Sequence, residues 1–467
     1  MPESDRRREL QQRARQVYGA GYERLRFPTP AEARAAIRER DAILARIGER
    51  ATSSCRGTKL QSGALSPGCE ICVAGSWSCL FINERCNTRC FYCPAPQQGS
   101  GAPMTNSVPF PKAGEYLEYL ARFGFRGVSI SGGEPLLTLE RTLGYIRAVK
   151  RRFGADLHLW LYTNGTLLER GVARRLAEAG LDEIRFDIGA TSYHLDRVQL
   201  AVGVIPRVTV EIPAIPEDRE RLEQVLGEMA RIGVQHLNLH QLRLTPHNFP
   251  KLVERGYTFV HGDNATVLES ELTALRVMER ALEAGIALPI NYCSYVYKER
   301  FQRAAARRRS AAPVLRAHEA VTPRGFIRSL SLRASPGEVA ARAARLGEAG
   351  APPGTFAASG ERLAFAPELW PLVCPESVGV TVAYLAPRIL PAVTYRNPFV
   401  EVPLGRGRKI AVERIPACPE LQLSPADAEA LRRHLLEGIA PDLAAAGDEL
   451  RRALSFEEIE PGLQDYL

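Results

Sequence analysis

The sequence lacks a long apolar run, an internal repeat and a low-complexity tail. Without an apolar segment, the charged residues at its start form neither a signal peptide nor a membrane anchor. We therefore expect a globular, cytoplasmic protein without a membrane partner.

Lysine is scarce, and arginine supplies most of the positive charge. The net charge is +8, from 61 Lys and Arg residues against 53 Asp and Glu residues. This excess is a weak indication of an anionic partner, and we favour a GC-rich genome as its explanation. Hydrophobic residues make up 45% of the chain and charged residues 24%, values that are ordinary for a soluble globular protein. A length of 467 residues allows two or three domains.

The cysteines are concentrated near the start of the chain. Seven of the ten lie between Cys55 and Cys93, and the last three have the spacing Cys86-x3-Cys90-x2-Cys93. Three thiolates on one loop can hold three irons of a [4Fe-4S] cube, whereas a closed structural site normally has four protein ligands. The spacing therefore predicts a cluster with one iron open to an external molecule. In a reducing compartment, such spacing favours metal binding over disulfides.

A second motif follows the cysteine triplet. The turn Ser131-Gly132-Gly133-Glu134-Pro135 comes after Gly127 to Ile130, a β-branched run that predicts a strand. Together the two motifs resemble the radical S-adenosylmethionine (radical SAM) superfamily. The segments Ser66 to Gly75 and Tyr292-Cys293-Ser294 are similar to an uncharacterised branch related to pyruvate formate-lyase activating enzymes. This resemblance covers roughly residues 55 to 305.

The resemblance implies a cofactor, a reaction and a set of site residues. The open iron would chelate S-adenosylmethionine, and an electron from a flavodoxin or ferredoxin would allow its cleavage to a 5′-deoxyadenosyl radical that takes a substrate hydrogen. The implied residues are the cluster ligands Cys86, Cys90 and Cys93, then Tyr92 near the adenine, and Gly132, Gly133 and Glu134 at the methionine amino group.

Between residues 77 and 297 the chain alternates β-branched runs with amphipathic helices, which predicts a parallel sheet. The resemblance implies the same α/β class, as a partial (β/α)6 radical SAM barrel. The predicted strands are Trp77 to Asn83, Gly127 to Ile130, Leu157 to Thr163, Glu183 to Ile188, Val208 to Pro213 and Gln235 to His240. The predicted helices begin near Phe110, Leu137, Thr166, Ser192, Glu217 and Thr266. Thr166 with Glu169, and Thr29 with Glu32 further upstream, match the capping-box pattern.

Polar residues follow several predicted strands, at the edge where a parallel barrel carries its chemistry. Asn164, Asp187 and Glu211 are candidates for binding cofactor hydroxyls or lying near its carboxylate, and each is equally suited to be a strand-end cap. For His194 and His240, near the same edge, we favour a structural role.

An upstream cysteine group consists of Cys55, Cys69, Cys72 and Cys79. Four cysteines suffice for an auxiliary iron-sulfur cluster or a zinc site. Cys79 lies within a predicted strand and suits a buried core thiol as well. Cys293, which ends a late apolar run, is the alternative fourth ligand.

These observations predict a helical extension over residues 1–54, a barrel with a cysteine-rich entry segment over 55–318, and a C-terminal α+β region over 319–467. The predicted function is hydrogen abstraction by a radical SAM enzyme. We favour a small metabolite as substrate, then a peptide or protein residue, then RNA, since no RNA-binding module is recognisable. The alternative is a non-catalytic zinc-binding protein.

Overall fold

The computed structural model describes residues 3–97, 99, 101–373, 379–405 and 407–466. The chain forms two compact units, one of residues 4–302 with 460–467 and the other of residues 303–459. The unit division at residues 302 and 303 lies earlier than the predicted boundary at 318. Residues 4–54 of the predicted helical extension belong to the larger unit. No helix of the described residues is both long and apolar enough to cross a membrane.

The larger unit contains the strands that position the candidate site. In chain order they are β1 (Thr52–Ser54), β2 (Lys59–Gln61), β3 (Trp77–Asn83), β4 (Met104–Thr105), β5 (Val108–Pro109), β6 (Gly127–Gly132), β7 (His158–Thr163), β8 (Glu183–Phe186), β9 (Arg207–Pro213), β10 (His236–His240), β11 (Phe259–Val260), β12 (Thr266–Val267) and β13 (Ile290–Cys293).

Seven of these strands are parallel, in the order β3-β6-β7-β8-β9-β10-β13. The hairpin of β4 and β5 extends the β3 edge, and β2 and β1 extend the β13 edge in antiparallel orientation. The predicted partial barrel is confirmed, as are its six strands. The late apolar run that ends at Cys293 forms a seventh parallel strand, and Lys59 of β2 lies opposite Cys293 in the register.

Helices connect the parallel strands. Those of the larger unit are α1 (Glu3–Tyr18), α2 (Pro30–Ile47), α3 (Pro67–Val73), α4 (Ala113–Arg122), α5 (Leu139–Phe153), α6 (Arg170–Glu178), α7 (Asp196–Gln199), α8 (Arg219–Ile232), α9 (Phe249–Val253), α10 (Leu268–Glu283) and α11 (Tyr295–Tyr297). A π-helix of residues Lys298–Gln302 follows α11.

The capping predictions had different outcomes. The Thr29 and Glu32 capping box of α2 is confirmed. The predicted box at Thr166 is wrong, because α6 begins only at Arg170 and the Thr166 hydroxyl bonds instead with Asn164 Oδ1 at 2.6 Å. The helix predicted near Ser192 is limited to the four residues of α7.

Helix α3 covers the amino-terminal end of the sheet. The Gly68 amide in α3 donates to Glu183 Oε2 at 3.2 Å, and Glu183 begins β8. A Cβ on Gly68 would overlap Arg185, and one on Gly127, the first residue of β6, would meet the Ile71 side chain at 2.8 Å. Glycine at these two positions therefore allows α3 to lie directly against the strand ends. Its Cys69 side chain is buried beside the sheet.

The barrel interior is polar. Successive residues of a strand point to opposite faces of the sheet, and in four neighbouring strands one face carries polar side chains that hydrogen-bond to each other or to side chains nearby. These residues are Glu183 and Arg185 in β8, Thr209 and Glu211 in β9, Asn238 and His240 in β10, and Asn291 and Cys293 in β13. The intervening residues are buried and mainly apolar.

The smaller unit has an α+β fold. Its antiparallel sheet contains β14 (Glu319–Val321), β15 (Ile327–Arg333), β16 (Phe356–Ser359), β17 (Arg362–Phe365), β18 (Val380–Leu390), β19 (Phe399–Pro403), β20 (Lys409–Pro416) and β21 (Leu421–Leu423). Its helices are α12 (Arg303–Ala311), α13 (Pro336–Glu348), α14 (Trp370–Val373), α15 (Pro425–Glu437) and α16 (Asp448–Glu457). The apolar faces of α13, α14, α15 and α16 pack into one core with Phe365 and Val382 of the sheet.

Candidate active site

The cysteine triplet lies on the loop that follows β3. The Thr88 hydroxyl lies 3.2 Å from Cys86 Sγ and 3.6 Å from Cys90 Sγ. The Cys93 amide donates to the Cys90 carbonyl at 3.3 Å, which folds the loop into a turn. All three thiols are partly accessible. The loop therefore gathers the thiols where an external molecule can reach them.

Hydrogen bonds from distant elements fix this loop. The Tyr92 hydroxyl lies 2.9 and 3.0 Å from the two carboxylate oxygens of Asp187, directly after β8. Asn248 Nδ2 donates to the Tyr92 carbonyl at 3.2 Å, and the Thr245 hydroxyl donates to the Pro94 carbonyl at 3.0 Å. Burial raises the pKa of Asp187 to about 6, against the opposing effect of the Tyr92 hydrogen bonds. Tyr92 and Asp187 thus form one pair that joins the loop to the barrel rim.

The Gly-Gly-Glu turn packs against the chain that leads into the cysteine loop. Gly132 has φ +125°, and a Cβ at this position would overlap the Asn83 carbonyl. A Cβ on Gly133 would overlap the Arg85 carbonyl. The Glu134 amide donates to the same Arg85 carbonyl at 2.7 Å. Both positions require glycine because two backbone segments approach without space for a side chain.

The Glu134 side chain has a structural role in the described fold. Its buried carboxylate accepts hydrogen bonds from the Leu136 amide, the Thr163 hydroxyl and the Asn164 amide at 2.7 to 2.9 Å. Burial raises the pKa of Glu134, and these hydrogen bonds oppose that effect. The carboxylate therefore joins the turn to the end of β7.

Asn164 connects these elements to the cysteines. Its Nδ2 donates to Asn87 Oδ1 at 2.9 Å and lies 3.7 Å from Cys86 Sγ. Its Oδ1 accepts from the Thr166 amide at 3.0 Å. The predicted site residues Tyr92, Gly132–Glu134, Asn164 and Asp187 therefore form one connected assembly with the triplet.

Glu211 belongs to a different network inside the barrel. Arg185 Nη1 donates to Glu211 Oε2 at 2.6 Å and Arg185 Nε to Glu183 Oε1 at 2.8 Å, with all three side chains buried. Asn238 Nδ2 also donates to Glu211, and His240 Nε2 lies within hydrogen-bonding distance of it. Although burial opposes ionisation, Arg185 and His240 hold the pKa of Glu211 well below its usual range. Both carboxylate oxygens of Glu211 thus have partners within the protein. This favours a structural role at the end of the strand over contact with the cofactor.

The upstream cysteines do not all lie together. Cys69, Cys72 and Cys293 share a group of neighbours inside the barrel that includes Lys59. Cys79 lies in β3 beside Ser129, and burial raises its pKa to about 11. Despite its burial, the Lys59 ammonium and His240 lower the pKa of Cys293 to about 5.

The two histidines near the rim have different surroundings, and two arginines after β13 bind backbone carbonyls. His194 is exposed, as a structural or solvated histidine would be, whereas His240 is engaged with Glu211. Among the arginines that follow β13, Arg300 donates to the Glu460 carbonyl at 3.1 Å and Arg307 to the Arg324 carbonyl at 2.6 Å.

Sequence reasoning missed several site residues, above all Lys59, Arg185, Asn238 and Asn291. The alternation of polar and apolar residues in β8 and β10 was the available signal. A parallel strand that is covered by apolar layers on both faces has a continuous hydrophobic sequence. Alternation in β8 and β10 therefore indicates that one face of these strands is polar. In the described residues, no group of three or more His, Cys, Asp or Glu side chains surrounds a point suited to a single metal ion.

Comparisons with known proteins agree with this arrangement. Residues 80–198 match the family model of the radical SAM superfamily. A Methanocaldococcus jannaschii protein that carries the provisional name of a glycyl-radical enzyme activating enzyme is 30% identical, with 56% of this chain and 72% of that protein covered. The GTP 3′,8-cyclase of Aliarcobacter butzleri is 27% identical, but only 33% of this chain and 42% of the cyclase are covered.

Two solved structures that resemble part of this chain have low overall similarity to it. The Streptococcus suis protein SuiB bound to S-adenosylmethionine has a TM-score of 0.35 and 9% identity, covering 50% of this chain and 56% of SuiB. The radical S-adenosylmethionine methyltransferase TsrM from Kitasatospora setae has a TM-score of 0.30 and 17% identity, covering 40% of this chain and 41% of TsrM.

The first prediction concerns the close backbone approach at Gly133. Replacing Gly133 with alanine should displace the cysteine loop and abolish retention of iron after anaerobic purification, because the added Cβ overlaps the Arg85 carbonyl. The control Gly144→Ala lies in α5 with nothing within 4 Å of its Cβ, and should retain iron and gain roughly 0.5 to 1 kcal/mol of stability. Equal iron content in the two variants would contradict the close-approach argument.

The second prediction concerns the buried charges. Arg185→Met leaves the carboxylates of Glu183 and Glu211 buried without their cation, and should lower the free energy of unfolding by about 3 to 5 kcal/mol. The control Arg175→Met removes an exposed ion pair with Glu140 and should cost less than about 1 kcal/mol. Urea unfolding measures both, and losses of similar size would show that Arg185 does not neutralise the interior.

Proposed function

This chain belongs to the radical SAM superfamily, and we propose that it is an enzyme that uses S-adenosylmethionine to abstract a hydrogen atom from a small metabolite. The observation that carries the proposal is the juxtaposition of three partly accessible thiols with the Gly132–Gly133 turn. The similarity to the M. jannaschii protein spans more than half of this chain, so it extends well beyond the two motifs. Membership of this superfamily argues against the alternative of a non-catalytic zinc-binding protein.

The described residues fit the cofactors of this superfamily. Cys86, Cys90 and Cys93 would hold a [4Fe-4S] cluster, and Thr88 orients two of these thiols. When bound, the cluster and S-adenosylmethionine supply the 5′-deoxyadenosyl radical that takes the hydrogen atom. Gln97 Nε2 donates to Cys93 Sγ at 2.6 Å, so one of the three ligand sulfurs accepts a side-chain amide hydrogen bond. An external electron donor, a flavodoxin or a ferredoxin, belongs to this proposal.

The polar groups around the triplet would orient the cofactor. We assign the methionine amino group to the backbone carbonyls of the Gly132–Gly133 turn, because the Glu134 carboxylate is already engaged. Asn164 joins that turn to Cys86, and its role is to keep the two at a fixed separation. The Tyr92 and Asp187 pair lies at the same rim, where the Tyr92 ring would flank the adenine.

A small substrate is favoured because the sequence contains no recognisable RNA-binding module and no dedicated peptide-recognition pattern. The second candidate is a protein residue, because the provisional name of the M. jannaschii relative refers to the activation of a glycyl-radical enzyme.

The third prediction tests cofactor cleavage. Anaerobic wild-type protein with dithionite and S-adenosylmethionine should form 5′-deoxyadenosine, and Cys86→Ala should reduce this rate at least about 100-fold because one cluster ligand is lost. Cys79→Ala is the matched control, since this thiol lies in β3 away from the triplet loop, and it should retain most of the activity. Wild-type cleavage without iron, or an unaffected Cys86 variant, would refute the assignment.

The substrate class is tested with cell extract that has been separated by size. Addition of the low-molecular-mass fraction should increase 5′-deoxyadenosine formation several-fold and give a new small product. Stimulation by the protein fraction alone, with loss after protease treatment, would replace the small metabolite with a protein residue.

A further inference from the structure

Four cysteines converge in the barrel interior near β13, and we propose that they bind a second iron-sulfur cluster. The ligands are Cys55, Cys69, Cys72 and Cys293, which come from the β1–β2 turn, α3 and the end of β13. This assignment concerns a site other than the triplet loop and holds whatever substrate the enzyme uses. It also decides between the two fourth ligands that the sequence left open.

The first argument is the proximity of Cys69 and Cys293. Asn291 Nδ2 lies 3.8 Å from Cys69 Sγ and 3.3 Å from Cys293 Sγ, so a single nitrogen is near both sulfurs. The shared amide donor therefore places these two thiols close together in the barrel interior, where both cysteines are buried.

Cys72 joins the same group through Lys59 and Tyr297. The Tyr297 hydroxyl lies 3.9 Å from Cys72 Sγ, and Lys59 Nζ lies 4.8 Å from the Tyr297 ring centroid. Lys59 Nζ also donates to Cys293 Sγ at 3.0 Å. The three buried or partly buried thiols thus surround one lysine and one tyrosine. Cys69 and Cys72 form a C-x2-C pair on α3, and Cys293 comes from the end of β13, a combination of ligands that iron-sulfur clusters use.

Side-chain amides donate hydrogen bonds to the sulfurs of Cys69 and Cys72. Asn238 Nδ2 donates to Cys69 Sγ at 3.2 Å, and Gln302 Nε2 donates to Cys72 Sγ at 2.6 Å. Gln302 ends the π-helix, a local element that often occurs at functional sites. Hydrogen bonds to ligand sulfurs tune iron-sulfur clusters. The catalytic triplet has the same feature in the bond from Gln97 to Cys93.

The charge of Lys59 provides an independent argument. Its side chain is 1% exposed, and within the described part of the chain it forms no ion pair with a carboxylate. A buried ammonium group is stable only beside a compensating anion. An iron-sulfur cluster with four thiolate ligands has a net negative charge, so Lys59 fits as its counterion.

Cys55 completes the set, and Cys79 does not. Strand β2 pairs with β13 so that Lys59 lies opposite Cys293. In the turn between β1 and β2, the Cys55 carbonyl accepts a hydrogen bond from the Thr58 hydroxyl at 2.8 Å. In the β1–β2 hairpin Ser54 pairs with Lys59, so Cys55 directly follows the residue opposite Lys59. Cys79 lies in β3, and the five strands β6 to β10 separate β3 from β13 in the sheet.

The fourth prediction tests this site by iron content in the full chain. Anaerobic wild-type protein should contain about eight irons and eight sulfides, the amount in two [4Fe-4S] clusters. The triple variant Cys86→Ala, Cys90→Ala, Cys93→Ala should retain about four of each. After reduction it should give a [4Fe-4S] electron paramagnetic resonance signal that S-adenosylmethionine does not change. Cys55→Ser, in an accessible turn, should lower the wild-type iron content, whereas the control Cys79→Ala should not.

Two results would overturn the second cluster. The first is a folded triple variant that contains no iron, or only zinc without sulfide. The second is an iron loss in Cys79→Ala that equals the loss in Cys55→Ser. The test is separate from that of the proposed reaction, because a wild-type chain that fails to cleave S-adenosylmethionine can still retain iron in the triple variant.

Discussion

The candidate site depends on two backbone segments that touch without a side chain between them. The chain after β3 and the turn after β6 meet where Asn83 and Arg85 lie against Gly132 and Gly133. The approach brings the start of the cysteine loop beside the turn and leaves little freedom to either. Glu134 then fixes the turn to the end of β7 through three hydrogen bonds. The geometry of the triplet therefore follows from the packing of neighbouring parallel strands.

A second constraint is the charge that the barrel encloses. Arg185 lies between Glu183 and Glu211 and within 5.0 Å of the Trp160 ring centroid, so its cation has both ionic and aromatic partners. Burial of charged groups is unfavourable unless the partners are well placed, and the network consequently fixes the facing side chains of β8, β9 and β10. A polar interior of this kind maintains orientation more than it adds stability. The buried Lys59, in contrast, has a cysteine sulfur and no carboxylate as its partner in the described part of the chain.

The sequence was sufficient to predict the fold class and the six parallel strands before Cys293. Predicted strands coincide with observed ones because short apolar or alternating runs are separated along the chain by amphipathic helices. The Thr166 capping box failed because its hydroxyl has a nearer acceptor in Asn164. The choice between Cys79 and Cys293 also lay beyond the sequence, since it depends on which strand the β1–β2 hairpin joins. That pairing joins residues more than 200 positions apart, and local patterns carry no record of it.

The central claim is that the triplet leaves one iron free for S-adenosylmethionine. Electron-nuclear double resonance of the reduced protein, with S-adenosylmethionine labelled by ¹⁵N at its amino group, measures this directly. The account predicts a hyperfine coupling between the labelled nitrogen and the cluster. Absence of the coupling, together with evidence for a fourth protein ligand on the same cluster, would contradict it.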